Sequence, residues 1–333
     1  MKLHIFNPGH DDALAAGTPY YTHARVARKI EDSLWQLPRL WAEENDVVIK
    51  LHALKDFHEW DKVKAIEPWG WDAALVHQLE KAGAPSHLLP DATTLHAIRT
   101  FSNRQTAVKL LQLIDKPPFV ESYFATTWEE VCDYVAHHRH VIAKAPWSCS
   151  GRGLVSLSPT SDVRQQKRIV AILNKQGGIA LEPFYERTAD FAMEFEAVKD
   201  GNVRFIGLSR FYTDRKGQYT GNLVASDINI LKGLAPFPFP HVKEQICEAT
   251  RQLLGGLYSG PFGIDMLQFR KEDKIYTHPC VEINLRHTMG CVAIALRKKL
   301  PTPESCALFR PLAQARATDC LLENFPYPIV NLV

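Results

Sequence analysis

The feature that most constrains this chain is a pair of apolar segments within residues 263–290, separated by a short polar stretch. The segments 263–269 and 275–285 are rich in β-branched and aromatic residues, whereas residues 270–274 read Arg-Lys-Glu-Asp-Lys. This composition predicts two antiparallel strands joined by a polar turn. The polar residues inside the two apolar segments then become the first candidates for a functional site.

Those polar residues are expected to share one face of the strand pair. Glu282 and Asn284 are two positions apart and therefore point to the same side, and Asp265 can face them if the strands pair near the turn. Two carboxylates and an amide oxygen are hard ligands of the kind that Mg²⁺ prefers. Arg286 follows on the same face, where it could bind a phosphate or a carboxylate in bidentate fashion. The alternative is an exposed hairpin face that carries ordinary charges.

Length and composition indicate an ordinary globular protein with several lobes. With 333 residues, the chain is too long for one small core, and two or three lobes are expected. A net charge of +2 and the lack of a basic tail give no indication of a nucleic-acid partner. No apolar run approaches the ~18 residues of a membrane span. The seven cysteines are scattered, which favours reduced thiols in a cytoplasmic protein.

Residues 1–90 alternate between predicted strands and helices, which predicts a parallel sheet. The first strand, 3–6, runs into a polar loop, and loops at this end of a parallel sheet are where α/β folds place ligands. We therefore interpret four residues of the loop as candidate substrate contacts: Asn7, His10, Asp11 and Asp12. The alternative is a turn in which Asp11 or Asp12 caps a helix over residues 13–16.

A second informative stretch follows the predicted strand 140–144. Lys144 leaves this strand, and a loop of small residues leads into another strand. Small residues let backbone N–H groups approach a phosphate, while a lysine and hydroxyl groups add a charge and further donors. The candidate phosphate-binding loop comprises Ser148, Ser150, Gly151, Arg152 and Gly153. A plain hairpin turn is the alternative.

Further polar residues lie at places where a nucleotide could bind. Glu182, Pro183 and Phe184 end an apolar strand, where an acid and backbone groups could serve an adenine amine and a ribose. Arg104 lies in the first turn of a predicted helix, a position that suits a cation only if an anion binds nearby. Residues 213–222 are polar and contain glycine, which predicts a mobile loop over a site.

In their order along the chain, these motifs resemble the ATP-grasp superfamily. The resemblance rests on Lys144 with its glycine loop, on Glu182-Pro183-Phe184, on Asp265, and on Glu282-x-Asn284-x-Arg286. It implies a mixed α/β and α+β architecture, in which a Rossmann-like lobe precedes a two-lobed ATP-grasp fold. We expect an N-terminal domain over residues 1–101, a lid subdomain over 102–186, and a C-terminal subdomain with the metal site over 187–333.

The resemblance also implies roles for individual residues. Arg104 and Lys144 would contact phosphates, although the family usually has a lysine where this chain has Arg104. Glu182 and Phe184 would bind adenine through backbone groups, and Asp190 is a candidate ribose partner. Mg²⁺, or Mn²⁺ as the alternative, would be held by Asp265, Glu282 and Asn284. The candidate catalytic residues are Lys144, Arg210 and Arg286, and the two arginines are also candidate substrate contacts.

The chemistry implied by the resemblance is ligation driven by ATP. A small-molecule carboxylate would attack the γ-phosphate to give an acyl phosphate and ADP, and an amine or similar nucleophile would then displace phosphate. Two alternatives stay open, namely a small-molecule kinase on the same scaffold and a nucleotide-binding protein without turnover. The cationic side chains Arg210 and Arg215 suit an acidic substrate, which favours the ligase. The oligomeric state stays open, with a homodimer as one alternative.

Overall fold

Three separate sheets organise the chain, as seen in a computed structural model. The structure describes residues 1–148, 153–214, 217–300, 302, 304–310 and 329–331. The first sheet is small and parallel, and the other two are built from antiparallel pairs. No helix among these residues combines the length and the apolar character that a membrane span requires.

The N-terminal lobe is a three-stranded parallel sheet, as predicted, with strand order β2-β1-β3. Buried aliphatic side chains such as Leu3 and Ile5 fill the space between this sheet and α3. The α3 helix begins where the Asp72 carboxylate accepts a hydrogen bond from the Leu75 N–H group, a standard N-cap. The lobe comprises β1 (Lys2–Ile5), α1 (His10–Ala16), α2 (Arg25–Leu34), β2 (Val47–Ile49), β3 (Ala65–Pro68), α3 (Ala73–Lys81) and α4 (Ala92–Phe101), with 3₁₀ turns at Leu37–Leu40, Leu51–Asp56, Trp60–Lys62 and Ser86–Leu88.

The middle lobe is a four-stranded antiparallel sheet with strand order β4-β7-β5-β6. Two helices pack on it, and its core contains Val131, Val141 and Ile169. The α6 helix starts at a capping box formed by Thr127 and Glu130, which satisfies N–H groups that have no partner within the helix. The lobe comprises β4 (Tyr123–Ala125), α6 (Trp128–His138), β5 (Val141–Lys144), β6 (Leu154–Leu157), α7 (Val163–Gln176) and β7 (Ile179–Pro183).

The C-terminal lobe is built on the largest sheet, in which the order β12-β11-β8-β9-β10-β13-β14 is continuous. The predicted hairpin of residues 263–290 is confirmed as β11 and β12. The strands are β8 (Glu186–Ala197), β9 (Val203–Thr213), β10 (Tyr219–Val224), β11 (Gly260–Lys271), β12 (Lys274–Asn284), β13 (Ala307–Phe309) and β14 (Ile329–Asn331), and the helices are α5 (Arg104–Leu113), α8 (Asp227–Lys232), α9 (Phe239–Leu254) and α10 (Met289–Arg297).

Alternation along β8 divides the large sheet into a packed face and an open face. Phe191, Met193 and Phe195 are fully buried in one core with residues of α5 and α9. The residues between them, Ala192 and Glu194, point to the opposite face because successive side chains of a strand alternate. That opposite face is directed toward the middle lobe, and its polar residues include Glu194 and Asp265.

Two sequence expectations need correction. The division at residue 102 assigns α5 to the lid, but Leu110 and Leu111 of α5 pack in the core of the large sheet. The segment 213–222, predicted as a mobile loop, is strand at both of its ends, because β9 extends to Thr213 and β10 begins at Tyr219. Arg215 and Lys216, which that loop was expected to contribute, lie outside the described residues.

Candidate active site

A cavity of about 620 Å³ lies between the middle lobe and the open face of the large sheet. This volume falls in the range of small-molecule sites, which is about 300–1,000 Å³. Residues from the two lobes and from α5 line it together, so the cavity exists only because the lobes meet. It brings together most of the predicted site residues: Arg104, Lys144, Ser148, Glu182, Pro183, Phe184, Asp190, Asp265, Glu282, Asn284 and Arg286.

The candidate metal ligands stand opposite each other on adjacent strands. Asp265 of β11 pairs directly with Glu282 of β12, and Gly263 pairs with Asn284 in the next row. Loss of solvation raises the pKa of Asp265 above its ordinary value, and the neighbouring charge of Glu282 raises it further. Two carboxylates in this position need a cation to hold both of them ionised, and their oxygens with that of Asn284 fit Mg²⁺.

Arg104 supplies part of that compensation in this structure. Its guanidinium donates to Glu282 Oε1 at 2.7 Å and to Ser148 Oγ at 2.8 Å, and it also contacts the carbonyl oxygen of Ala145. The side chain is buried at the first turn of α5, where Asn103 caps the helix. The anion that the sequence required near Arg104 is thus Glu282, and the same guanidinium contacts Ser148 of the candidate phosphate-binding loop.

Two residues of the candidate phosphate-binding loop, Ser148 and Gly153, pack closely against each other. A Cβ atom on Gly153 would lie 2.2 Å from Ser148 Oγ, so the close approach of these two residues requires glycine at position 153. Gly153 does not itself line the cavity, whereas Ser148 does. The remaining members of the predicted loop, Ser150, Gly151 and Arg152, lie outside the described residues.

At the opposite end of the cavity, Lys144 and Glu182 form a buried ion pair with Nζ and Oε2 2.5 Å apart. The pair spans neighbouring strands, since Ile142 of β5 is registered with Glu182 of β7. Burying either charge without a partner would destabilise the folded state, and the ion pair offsets this loss of solvation. The sequence placed both residues in the nucleotide site but did not predict that their side chains meet.

The expectation for Phe184 needs correction in part. Its backbone N–H group donates to the carbonyl oxygen of His140 at 2.9 Å, so this donor is engaged within the protein rather than offered to an adenine. Its ring stacks on the His140 ring with the centroids 4.2 Å apart. Phe184 still lines the cavity with an exposed side chain, which offers an apolar surface to a planar ligand.

Arg286, just beyond the end of β12, connects the large sheet to the N-terminal lobe. Its guanidinium donates to both carboxylate oxygens of Asp11, with the shortest N–O distance at 2.9 Å, and to Asn284 Oδ1 at 2.9 Å. Burial opposes ionisation of Asp11, but the Arg286 charge and its hydrogen bonds hold the pKa of this carboxyl below its ordinary value. Asp11 thus acts on the site through Arg286, although it does not line the cavity.

The other predicted residues of the first loop do not reach the cavity. Asn7 is fully buried and donates to the Gly70 carbonyl oxygen at 2.8 Å, and His10 lies 3.5 Å from the Asp72 carboxylate. These contacts join two loops within the N-terminal lobe. Asp12 occupies the first turn of α1, which starts after Gly9, so neither aspartate of this turn is the helix cap.

The structure contradicts the prediction for Arg210. This residue is registered with Phe191, which belongs to the packed face of the large sheet, whereas its neighbour Ser209 lines the cavity. Arg210 donates instead to the carbonyl oxygen of Gly233 at 2.9 Å. Successive side chains of a strand point to opposite faces, so Arg210 points away from the cavity that its neighbour Ser209 lines.

Several polar residues of the cavity wall received no role from the sequence, among them Glu194, Ser209 and Thr288. Glu194 interrupts an apolar strand, a signal comparable to that of Asp265, but without a second acid nearby in sequence it attracted no role. Asp190, by contrast, was predicted and lines the cavity, where its carboxylate accepts a hydrogen bond from Thr213 at 3.0 Å.

In the described part of the chain, no three or more side chains of His, Cys, Asp or Glu lie together in a way that could hold a metal ion. The candidate Mg²⁺ site does not depend on such a group, because its third ligand is the amide oxygen of Asn284. A set with two carboxylates leaves further coordination positions to water and to a ligand, which is usual for Mg²⁺.

Comparison with solved structures confirms the predicted fold. N5-carboxyaminoimidazole synthetase from Staphylococcus aureus complexed with ADP matches with a TM-score of 0.52 and 12% identity, over 93% of this chain and 81% of that chain. A biotin carboxylase–β-γ-ATP complex from Campylobacter jejuni matches with a TM-score of 0.54 and 14% identity, over 93% and 74% of the two chains. D-cycloserine synthetase DcsG matches with a TM-score of 0.52 and 12% identity, over 90% and 99%.

The chain therefore shares its fold with these three proteins, in agreement with the mixed α/β architecture that the sequence predicted. At these identities the likeness extends to the fold alone. No protein-family model matches the sequence, and no curated protein matches it either.

The ion pair between Asp11 and Arg286 predicts a specific pH dependence of stability. The pKa of Asp11 is lowered on folding, so the pair stabilises the native state above the unfolded pKa of about 3.9 and loses this effect as the pH falls through the lower folded value. We expect Asp11→Asn to lower the unfolding temperature at neutral pH. The difference from wild type should shrink below about pH 4, as measured by calorimetry across a pH series. A difference that stays constant in acid would contradict the ion pair.

Proposed function

We propose that this protein is an ATP- and Mg²⁺-dependent ligase that activates a carboxylate as an acyl phosphate and joins it to an amine, with release of ADP and phosphate. The observation that carries the proposal is the cavity itself, in which buried cations face a pair of carboxylates across the junction of two lobes. Complexes of similar folds with ADP and with a β-γ-ATP ligand support a nucleotide in this cavity.

The nucleotide would lie with its base toward the middle lobe and its phosphates toward the large sheet. Glu182 and the exposed ring of Phe184 offer a hydrogen-bond acceptor and an apolar surface to adenine. Lys144 and Arg104 would lie along the phosphates, where each cation offsets charge on phosphate oxygens. On nucleotide binding, Arg104 would exchange its present partner Glu282 for phosphate, which frees that carboxylate for a metal.

Asp265, Glu282 and Asn284 would hold the Mg²⁺ ion. When bound there, the ion would neutralise charge on the β- and γ-phosphate oxygens and lower the barrier to attack by a carboxylate. The fit is supported by the chemistry of the three side chains and by the raised pKa of Asp265, which follows from burial and from the neighbouring charge of Glu282.

The remaining chemistry falls to residues of this chain that orient the reactants and exclude water. Arg286, aligned by Asp11, would bind the carboxylate substrate and stabilise charge that develops on the transferring phosphoryl group. The two lobes enclose the cavity, which protects an acyl phosphate from hydrolysis. The substrate carboxylate oxygen would form the bond to phosphorus while ADP leaves, and the amine nitrogen would then form the amide bond while phosphate leaves.

Phosphorus NMR of the purified protein with ATP and Mg²⁺ tests the reaction class. Pools of small carboxylic acids and amines would be added separately and together. We expect ADP and inorganic phosphate to accumulate only when both kinds of substrate are present, because the acyl phosphate is used by the amine. A new stable phosphoester signal beside ADP would instead identify a kinase, and the absence of turnover with every pool would argue against a ligase.

Removal of a metal ligand is expected to abolish turnover without unfolding the protein. Asp265→Ala and Glu282→Ala each delete one carboxylate of the facing pair, and we expect turnover to fall by at least about 100-fold, as for loss of a strong electrostatic contact in a transition state. Stability should be preserved or increased in Asp265→Ala, since the pair repels. Wild-type activity in either variant would remove the metal assignment. Glu196→Ala, which removes a partly exposed carboxylate of the same sheet that does not line the cavity, is the matched control.

Lys144→Met tests the nucleotide end of the cavity. Loss of a charge-assisted contact of about 1.5–3 kcal/mol is expected to weaken ATP binding by roughly 10- to 150-fold, as measured by calorimetry with a non-hydrolysable analogue. The unfolding temperature should also fall, because Glu182 loses its buried partner. Lys62→Met removes an exposed lysine of the N-terminal lobe and should leave ATP binding unchanged. An unchanged affinity in Lys144→Met would exclude this role.

A further inference from the structure

Beyond the candidate metal ligands, the cavity continues to a buried carboxylate that the steps above do not use. Glu194 lines the cavity wall with only 1% of its surface exposed. Ser209 Oγ donates to its Oε1 atom at 2.9 Å, and Thr288 Oγ1 donates to its Oε2 atom at 2.8 Å. Each carboxylate oxygen therefore accepts a hydrogen bond from a hydroxyl group, an arrangement suited to the ionised form.

Two glycines leave room for this carboxylate. A Cβ atom on Gly290 would lie 1.8 Å from Glu194 Oε1, and a Cβ atom on Gly263 would lie 2.6 Å from Oε2. Neither distance is compatible with a larger residue, so the backbone approaches the acid closely from both sides. The carboxylate of Glu194 is thus held in a defined position by two hydroxyl groups and two closely packed glycines. We call this group the Glu194 pocket.

The Glu194 pocket contains no cationic side chain, although the charge of Arg286, which lines the same cavity, acts on Glu194. Glu194 forms no ion pair with any residue in the described ranges, although the N-terminus of α10 at Thr288 places a partial positive charge beside it. Burial raises the pKa of Glu194 in spite of its hydrogen bonds. A buried carboxylate that opens into a ligand cavity without a paired cation is a site where a ligand can supply that cation.

Strand register places the Glu194 pocket beside the reacting groups. Glu194 is registered with Gly263 and through it with Asn284, while Asp265 and Glu282 form the neighbouring row of the same face. Two positions along a strand correspond to roughly 6.6–6.8 Å. A group bound at Glu194 would therefore lie within roughly 7 Å of the candidate metal ligands.

We propose that the Glu194 pocket docks the ammonium group of the acceptor amine, an assignment that rests on the ligase function proposed above. An ammonium group supplies both the missing charge and several N–H donors. Ser209 gives its proton to the carboxylate, so its oxygen can accept one of these donors. Ala192 and Phe211 also line this part of the cavity and would contact an alkyl chain. Docking forms no covalent bond; before attack the ammonium group would transfer one proton to the Glu194 carboxylate, which leaves a neutral amine nitrogen with the lone pair that amide formation requires.

An ammonium group fits this pocket better than a metal ion or a neutral hydroxyl. A metal ion would need more than one strong oxygen ligand, and the hydroxyl groups of the pocket already direct their protons at Glu194. A neutral hydroxyl would leave the buried charge without compensation. For the same reason, the pocket favours the amine acceptor of a ligase over the hydroxyl acceptor of a kinase.

Ligand-observed saturation-transfer NMR tests the assignment. The full chain would be loaded with Mg²⁺ and a non-hydrolysable ATP analogue, then titrated with primary alkylammonium chlorides from ethyl to butyl and with alcohols of the same chain length. We expect the ammonium probes to bind and the alcohols to bind at least about 10-fold more weakly, in keeping with a charge-assisted contact. Equal binding of both series, or binding of neither, would overturn the proposal.

Variants locate the binding within the cavity. Glu194→Gln keeps the shape and removes the charge, so it should weaken the ammonium probes at least about 10-fold. Glu196→Gln, two residues further along the same strand, changes a partly exposed carboxylate that pairs with Arg204 and does not line the cavity, so it should bind them like wild type. Ammonium binding that survives Glu194→Gln would place the cation elsewhere. Should Glu194→Gln fail to fold, Ser209→Ala gives the same reading, with weaker ammonium binding as the supporting result and unchanged binding as the contrary one.

Nucleotide binding distinguishes failure of this pocket from failure of the ligase proposal. Affinity for the ATP analogue would be measured in the same samples by calorimetry. If the analogue binds but the ammonium probes do not discriminate, the Glu194 assignment is wrong and the nucleotide site stands. If the analogue does not bind wild type at all, the proposed function itself is wrong.

Discussion

Direct opposition of Asp265 and Glu282 is the constraint on which the rest of the site depends. Two carboxylates on neighbouring strands repel, and the surrounding residues are arranged around that repulsion. Arg104 donates to Glu282 from the start of α5. Arg286 follows the end of β12 and turns toward Asp11 of the N-terminal lobe. Cations from two different parts of the fold thus converge near one pair of acids, and a metal bound with nucleotide would complete the balance.

The opposition itself depends on an irregularity in the hairpin. Near the turn Leu267 pairs with His278, but further along Asp265 pairs with Glu282, so residues 279–281 of β12 oppose a single residue of β11. If the pairing of Leu267 with His278 continued without this bulge, Asp265 would lie opposite Cys280. Pro279 lies in the bulge, where a missing backbone N–H group is tolerated. A local defect in pairing therefore creates the candidate metal site.

Much of the architecture follows from the sequence because it rests on local patterns. The parallel sheet of the N-terminal lobe, the small-residue loop between two strands and the final hairpin each have a periodicity or turn signal that short-range physics explains. Arg210 shows where this reasoning stops. Its strand was recognised, but the face to which it points depends on register against Phe191, and one residue of register separates a cavity residue from a packed one.

The sequence by itself determined which chemical groups the site contains and their order along the chain. Only the tertiary structure decided which of them meet. Arg286 contacts Asp11 across 275 positions of sequence, and Arg104 contacts Glu282 across 178. The pocket around Glu194 likewise gathers Ser209 from one strand and Thr288 from a helix start. Such contacts arise from the packing of lobes against one another, and no local pattern of polarity or turn chemistry specifies a partner so far away in the chain.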